Sequence, residues 1–391
     1  MTLILLGAST APAISASSES TADPPSAAVV RAIPAAANDL ATSAAAIVSG
    51  MSLEQKAASV VMGHLPTTDA AALKDYMTRT GIGGFILMGA NIPRDESALR
   101  GITASLTVDP ALPPLLAVDE EGGEVARLPW DDFAGADTLK GDPSDATRDA
   151  FLGRGALVQR AGIGVNFGIV ADVAAHGGFI LPRALGTTPD VTAARVTAAL
   201  EGESGQALST VKHFPGHGAA AGDSHALIPA TAKSKKAWMS SDALPFRAAI
   251  AEGVPLLMFG HLRFRAVDTA PASLSAAWHR IARDELGFAG VTITDDLGML
   301  QATGIRAYRS LVNNAVNALK AGNDMVLAVM FTDGGSARKL VAGIAAAVED
   351  GTLSIERLDE AATRVVTLRL RLAADGRGMV PCADCAAVDQ R

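Results

Sequence analysis

The chain contains few cysteines, few aromatic side chains and no excess of basic residues. Of its 391 residues, two are cysteines and 4% are aromatic, and its formal net charge is −8. This balance argues against nucleic acid as a partner, because such binding needs clustered Lys and Arg to neutralise phosphates. Hydrophobic residues still make up 49% of the chain, so the core must consist mainly of Ala, Val, Leu and Ile. That composition suits helices covering a parallel sheet.

The two cysteines, Cys382 and Cys385, lie near the carboxyl terminus, outside the pattern of strands and helices. A single C-x-x-C pair can be a redox pair or half of a zinc site, but no further cysteines complete such a site. A peripheral disulfide is the simpler interpretation. The pair is assigned no chemistry, and the sequence predicts no cofactor.

Long hydrophobic runs are also missing, which predicts that no segment spans a membrane, since a span needs about 18 uninterrupted apolar residues. The short apolar run Met1–Ala8 and the small residues after it resemble a secretory signal peptide without the usual basic start, over residues 1–15. The sequence therefore predicts a secreted or cell-envelope protein, or a cytoplasmic one if the leader is not functional. Residues 16–50, rich in Ser, Ala, Pro and Thr, predict a disordered tether.

Short apolar runs alternate with helical segments between residues 51 and 372, ahead of a tail over 373–391. The candidate strands are Ser59–Met62, Gly84–Leu87, Leu115–Asp119, Gly164–Phe167, Ser209–His213, Leu256–Phe259, Val291–Thr294 and Asp324–Ala328. Eight strand-helix units predict an α/β fold, a single (β/α)8 TIM-type barrel, which we expect to be a monomer. An open doubly wound sheet is the competitor. It lacks support because no G-x-G-x-x-G follows the first strand.

Three of the seven histidines fall within the segment Lys212–His225. Its glycines and proline forbid a regular helix and indicate a shaped loop that is catalytic or binds a ligand. His213 and His217 are four residues apart, but a proline and a glycine lie between them, so the helical geometry of metalloproteases is not expected. Asp223 precedes His225 by two residues, close enough to orient the ring and raise its basicity as an acid/base pair.

Two acidic segments follow candidate strands. Asp119–Arg127 holds four acids within six residues, which indicates either a solvated acidic turn or a site facing a cation or sugar hydroxyls. The strand Val291–Thr294 runs directly into Asp295 and Asp296. We assign Asp295 the chemical role because it is nearer the strand, and Asp296 the role of a helix N-cap.

These segments together resemble glycoside hydrolase family 3, and in particular its bacterial β-N-acetylglucosaminidase branch, known for cell-wall turnover. The resemblance covers about residues 50–372 and rests on Lys212–Gly218, Asp223–His225 and Ile293–Met299, with Asp119–Arg127 and Val165–Val173 as further matches. It implies a retaining exo-β-N-acetylglucosaminidase that acts on peptidoglycan fragments. The resemblance assigns Asp295 as nucleophile, His225 as acid/base, Asp223 as its assistant, and sugar binding to Asp119, Arg127, Arg183, Lys212 and His213.

Many multidomain members of this family take their acid/base from another domain or loop, and this sequence leaves no room for a second α/β domain. We therefore expect His225 to supply the proton from within the barrel. An imidazole, unlike a carboxylate, does not repel an incoming phosphate anion. Phosphorolysis, in which phosphate takes the place of water, is therefore an alternative reaction. The sequence is also compatible with a β-glucosidase, a non-catalytic cell-wall sugar-binding protein and, last, a metallohydrolase.

Four residues depart from the family pattern. Glu120 and Glu124 stand where the family commonly has Gln and Arg, and we expect them to add negative charge beside the sugar site. Gly168 and Ile169 replace its usual Ala and Pro, which we interpret as packing variation near the barrel floor.

Overall fold

Eight parallel strands form one sheet in the computed structural model, which describes residues 35–174 and 177–376. They are β1 Val61–Gly63, β2 Gly84–Leu87, β3 Leu115–Val118, β4 Val165–Val170, β5 Leu208–Phe214, β6 Leu256–Phe259, β7 Val291–Thr294 and β8 Val326–Leu327. Seven neighbouring pairs form parallel ladders. Between β7 and β8 the ladder shrinks to one parallel bridge, Ile293 to Met325. The predicted single (β/α)8 barrel is confirmed.

Helices surround this barrel. They are α1 Ala35–Ser49, α2 Leu53–Ser59, α3 Ala70–Thr80, α4 Glu96–Leu106, α5 Ala136–Leu139, α6 Ser144–Arg160, α7 Pro189–Glu203, α8 Lys235–Met239, α9 Ala243–Ala251, α10 Ala276–Arg280, α11 Leu297–Ala302, α12 Leu311–Ala321, α13 Ser336–Glu349 and α14 Ile355–Asp375. A π-helical turn, Ile281–Glu285, extends α10. Within the described ranges, no helix combines the length and the hydropathy that a bilayer crossing requires.

Local sequence signals explain several helix boundaries. The hydroxyl of Ser310 accepts the N–H of Asn313 at the start of α12, and Gly322, with φ of 125°, ends that helix. Ser354 caps α14 in the same way. The first predicted strand began two residues too early, because α2 continues through Ser59.

Alternate side chains of each strand point into the barrel, where Met62, Ile86, Ala117, Phe167, Met258 and Ile293 belong to one buried cluster. Val365, Leu368 and Leu372 of α14 pack into the same cluster. Leu372 lies beside Gly164, just before β4, so α14 covers the amino-terminal end of the barrel. The opposite end is left for the site.

Helix α1 corrects the predicted tether over residues 16–50. From residue 35 onward the chain is helical, and Ala44 and Val48 are at most 2% exposed because they pack against α14. The spacing of four residues places both side chains on one helical face. The signal-like segment over 1–15, the first part of the tether, and the pair Cys382 and Cys385 lie outside the described residues.

Candidate active site

A cavity of about 220 Å³ opens at the carboxyl ends of the strands. Seven of the eight residues that the sequence analysis assigned to the site line this cavity: Asp119, Arg127, Arg183, Lys212, His213, His225 and Asp295. The eighth, Asp223, contacts His225. In a parallel barrel all carboxyl ends meet at one face, which is why residues far apart in the sequence converge here.

Asp295 continues the inward alternation of β7, two residues beyond Ile293. Its N–H donates to the carbonyl of Phe259 over 2.9 Å, and its Oδ1 accepts the N–H of Asp296 over 2.8 Å. Burial opposes ionisation of this carboxyl, but His213 and the Asp296 amide are among the groups that outweigh burial and hold the pKa of Asp295 below its usual value. Asp295 is therefore an ionised carboxylate at neutral pH.

Asp296 has the structural role predicted for it. It caps α11, with Oδ1 accepting the N–H of Gly298 over 2.9 Å. The same carboxylate accepts the N–H groups of Val329 and Met330, each over 2.9 Å, and so ties the loop after β8 to the end of β7. Asp296 fixes the backbone beside Asp295.

Lys212, Arg183 and Asp119 form a charge network around Glu121. Lys212 Nζ lies 2.7 Å from both Asp119 Oδ1 and Glu121 Oε1, and Arg183 binds the two oxygens of Glu121 at 2.6 and 2.9 Å. Burial alone raises the pKa of Glu121, but the two cations reverse that effect and bring it to about 2. The central role of Glu121 was missed in the sequence, although it lies two residues beyond Asp119 and thus shares its direction.

Asp172 is a second residue that the sequence analysis did not assign. It is fully buried, and its Oδ2 lies 2.8 Å from Nδ1 of His213. Its Oδ1 accepts the backbone N–H of His217. Asp172 thereby fixes the start of the loop Lys212–His225, where the peptide bond between Lys212 and His213 is cis. The available signal was its position just beyond β4, comparable to those of Asp119 and Asp295 beyond their strands.

Asp223 and His225 form a hydrogen-bonded pair on the exposed part of this loop. Oδ1 of Asp223 lies 2.7 Å from Nδ1 of His225 and accepts the N–H of the same residue over 2.9 Å. The side chains are 44% and 54% exposed. Because Nδ1 is engaged, Nε2 is the nitrogen of His225 available for proton transfer.

The other histidines near the cavity have structural partners. His217 Nε2 lies 3.1 Å from the hydroxyl of Ser224. The ring of His261 is held between the Ser273 hydroxyl, at 2.7 Å, and the carbonyl of Asp296, at 2.8 Å. Burial lowers the pKa of both His217 and His261, which favours their neutral forms.

The expectation that Glu120 and Glu124 add negative charge beside the cavity is wrong. Glu120 is fully buried, and its Oε2 accepts the N–H groups of Arg127 and Leu128 over 2.8 and 3.0 Å. Burial, reinforced by Asp131, raises the pKa of Glu120 to about 8, which favours the neutral form of its carboxyl at pH 7. Glu124 is exposed and does not line the cavity.

Gly168 and Ile169 were interpreted as packing variation near the barrel floor, and that location is wrong, although Ile169 does pack in a buried cluster. Both belong to the carboxyl-terminal half of β4, where the pairing with β5 shifts register between Asn166 and Ile169. A Cβ atom at Gly168 would lie 2.4 Å from the carbonyl oxygen of Glu120. Gly168 therefore permits a close approach of two backbones next to the site.

Known proteins are similar to this chain in sequence. The beta-hexosaminidase of Xylella fastidiosa (strain M23) is 31% identical over 280 residues, which cover 68% of this chain and 82% of that protein. The beta-hexosaminidase of Chromobacterium violaceum is 34% identical over 259 residues, covering 63% and 71%.

Two solved structures superpose on most of the chain. The glycoside hydrolase family 3 beta-N-acetylglucosaminidase from Paenibacillus sp. str. FPU-7 has a TM-score of 0.77 at 29% identity, covering 87% of this chain. This chain spans only 65% of that enzyme's length. A family 3 glycosyl hydrolase from Mycobacterium smegmatis has a TM-score of 0.72 at 27% identity, covering 82% of this chain and 98% of that one.

The profile of the glycosyl hydrolase family 3 N-terminal domain matches residues 52–368, which include all eight strands and every residue of the cavity named above. A match over most of the chain decides its relationship: the protein is a glycoside hydrolase and belongs to family 3.

Proposed function

We propose that the protein is a retaining exo-β-N-acetylglucosaminidase. The observation that carries this proposal is the convergence of Asp295 and His225 on one cavity, the first as a buried ionised carboxylate and the second as an exposed imidazole held by Asp223. A carboxylate nucleophile and a separate proton shuttle are the requirements of double displacement with retention. The relatives named as beta-hexosaminidases and a beta-N-acetylglucosaminidase support the choice of sugar.

In the first step, a carboxylate oxygen of Asp295 attacks the anomeric carbon and the bond from that carbon to the leaving oxygen breaks. The protonated imidazole of His225 gives its Nε2 proton to the leaving oxygen. The Nδ1 proton stays directed at Asp223 Oδ1, so the imidazole becomes neutral with a free lone pair on Nε2. The product of this step is a glycosyl ester on Asp295.

In the second step, a water molecule replaces the aglycone. The free Nε2 of His225 takes a proton from this water molecule. The water oxygen attacks the anomeric carbon, and the ester bond to Asp295 breaks. The carboxylate and the imidazolium are both restored. Two inversions at the anomeric carbon give net retention.

Sugar hydroxyls need both donors and acceptors, and the cavity wall supplies them. Asp119, 18% exposed at its side chain, offers carboxylate oxygens, while Lys212 and Arg183 offer N–H groups already oriented by Glu121. Nε of Arg127 is buried without a hydrogen-bond partner among the described residues. We assign Arg127 to a substrate oxygen, because a buried donor without an acceptor is costly.

For the natural substrate we propose β-linked N-acetylglucosamine in peptidoglycan fragments, outside the cytoplasm. The support is the apolar segment Met1–Ala8 together with the resemblance to enzymes of cell-wall turnover.

The test is to trap the covalent intermediate with a fluorinated N-acetylglucosamine analogue that carries a good leaving group, followed by peptide mapping by mass spectrometry. We expect a single label on Asp295 and none in Asp295→Asn. A label on another residue, or rapid turnover of an aryl N-acetylglucosaminide by Asp295→Asn, would contradict the assignment.

A panel of aryl glycosides separates the competing activities. We expect the aryl N-acetylglucosaminide to be cleaved far better than the aryl glucoside, with no dependence on inorganic phosphate. A preference for the glucoside indicates a β-glucosidase. A sugar phosphate as product indicates a phosphorylase, and binding without turnover indicates a sugar-binding protein.

A further inference from the structure

Behind the cavity wall lies a group of buried ionisable side chains that the proposed mechanism does not use. We call Glu120, Asp131, Glu203 and Arg154 the buried acid cluster. Glu120, Glu203 and Arg154 are 0% exposed as residues, and the side chain of Asp131 is also 0% exposed. The cluster joins the loop after β3 to helices α6 and α7.

The cluster contains three carboxyl groups and one cation. Arg154 Nε donates to Asp131 Oδ2 over 2.7 Å, so this pair is internally neutral. Glu120 faces the same Asp131 carboxyl, and Glu203 lies against the amide of Asn166, whose Nδ2 donates to Glu203 Oε1 over 2.6 Å. Because an uncompensated buried charge is expensive, this arrangement favours the protonated forms of the two glutamates. In the same direction, burial raises the pKa of Glu203 to about 7.

Among the described residues, Glu120 Oε1 has no hydrogen-bond partner while Glu120 and Asp131 are both ionised. Two carboxyl groups can face each other in a protein interior only if one of them carries a proton. With that proton on Oε1, Glu120 can donate a hydrogen bond to Asp131, while its Oε2 still accepts the two backbone N–H groups. The contact is then a hydrogen bond instead of a repulsion.

The segment Asp119–Arg127, which we call the acidic loop, is built on this cluster. Glu120 Oε2 accepts the N–H groups of Arg127 and Leu128, which pins the far end of the loop. Asn166 Oδ1 accepts the N–H of Glu120 and Asn166 Nδ2 donates to its carbonyl, which pins the near end.

Arg154 supports the middle of the acidic loop. A Cβ atom at Gly122, where φ is +81°, would lie 2.0 Å from Nη2 of Arg154. The loop can therefore follow this path only with glycine at that position. The loop carries Asp119, Glu121 and Arg127, so its path fixes three groups of the cavity.

We propose that Glu120 is a positioning residue that acts in its protonated form: its carboxyl donates to Asp131, accepts two amides of the acidic loop, and so holds Asp119 and Arg127 in place for the sugar. The inference rests on the proposed sugar site. Loss of the shared proton places two adjacent negative charges in a buried space with one cation. The loop then shifts, and sugar binding weakens.

The first experiment measures the affinity for N-acetylglucosamine by titration calorimetry between pH 5 and pH 9.5, for the full chain and for Glu120→Gln. Gln is neutral at every pH, can donate an N–H to Asp131 and can accept the two loop amides. We expect similar dissociation constants at pH 6. Above about pH 8 the wild-type constant rises, approaching tenfold per pH unit, whereas that of Glu120→Gln stays level.

The second experiment measures the melting temperature over the same pH range, which needs no sugar. The pKa of Glu120 is raised from 4.5 to about 8 on folding, so its stabilising contribution is full below pH 4.5 and is lost as pH rises to 8. We expect the melting temperature of Glu120→Gln, relative to wild type, to rise between pH 5 and pH 8 and then level off. Glu120→Ala, which leaves two loop amides without their acceptor, should bind the sugar poorly at every pH.

Three results would overturn the proposal: parallel melting curves for wild type and Glu120→Gln, the same alkaline loss of affinity in both, or a Glu120→Gln chain that fails to fold. Absence of sugar binding by wild type at all pH values would instead refute the proposed function, and the melting curves would still decide the role of Glu120.

Discussion

Asp295 and His225, the two groups to which we assign the reaction, lie in contrasting surroundings. Asp295 belongs to a wall of buried and hydrogen-bonded charges, in which the side chains of Lys212 and Glu121 are 2% and 3% exposed. The side chain of His225 is about half exposed, and it is held by one carboxylate on the same loop, that of Asp223. The difference matches the two tasks. A nucleophile needs a fixed direction and a fixed charge, whereas a proton shuttle must serve first the leaving group and then a water molecule.

The largest expected effect concerns the wall. Asp295→Ala should lower kcat for an aryl N-acetylglucosaminide by roughly 10⁴- to 10⁶-fold, because the covalent step loses its nucleophile. Its melting temperature should fall, because the groups that lower the pKa of Asp295 stabilise its carboxylate in the folded chain. The fall should be smaller than for Asp296→Ala, since Asp295 accepts one backbone amide and Asp296 accepts three. The matched control is Asp296→Ala, which removes the acceptor of three backbone amides and should cost about 3 kcal/mol of unfolding free energy. The assignment of roles is reversed if Asp296→Ala is stable and inactive while Asp295→Ala is unstable and active.

The next effect concerns the loop. His225→Ala should lower kcat/KM for an N-acetylglucosamine disaccharide by roughly 10²- to 10⁴-fold, because the leaving alkoxide no longer receives a proton. For a dinitrophenyl glycoside, whose leaving group needs no proton, the loss should be under about tenfold. Unfolding free energy should change by less than about 0.5 kcal/mol, as is usual for an exposed position. An equal loss for both substrates is incompatible with proton donation by His225.

The smallest expected effect is a pH-dependent change in stability when Glu121 is removed from the buried wall. The pKa of Glu121 falls to about 2 on folding, so this group stabilises the protein above its unfolded pKa and loses that contribution as pH drops from 4.5 towards 2. The contribution at neutral pH is on the order of 3 kcal/mol. Glu121→Gln should therefore be less stable than wild type at pH 7 and approach it at pH 3 in urea unfolding experiments. A constant difference at both pH values contradicts the charge network.

Much of this architecture could be predicted from the sequence because its signals are local. Short apolar runs alternating with helical segments indicated all eight strands. The resemblance to family 3 assigned Asp119, Lys212 and Asp295 to one site, and all three line the cavity. The adjacent aspartates were separated correctly into a cavity residue and a helix cap, since the cap rule depends only on neighbours in the chain.

The predictions that were wrong or missing concern residues whose state depends on contacts with distant parts of the chain. The state of Glu120 depends on Asp131 and on burial by the fold, so the sequence suggested a charge where the structure has a neutral carboxyl. Asp172 acts through contacts to residues about 40 positions away. Helix α1 is an alanine-rich segment with little to bury alone, and it is stabilised by α14 from the opposite end of the chain.

The junction between β7 and β8 bears on the thermal inactivation of this enzyme. It is the position at which the sheet has a single bridge, and β8 is only two residues long. Three backbone hydrogen bonds cross this junction, from the N–H groups of Asp324 and Met325 to the carbonyl of Thr292 and from Thr294 to the carbonyl of Met325. Side chains add to the closure: the hydroxyl of Thr294 accepts the N–H of Leu327, and Asp296 accepts the N–H groups of Val329 and Met330. Asp295, the proposed nucleophile, lies between Thr294 and Asp296. A local opening of this junction would displace Asp295 while the rest of the barrel is intact, so we expect inactivation to precede global unfolding.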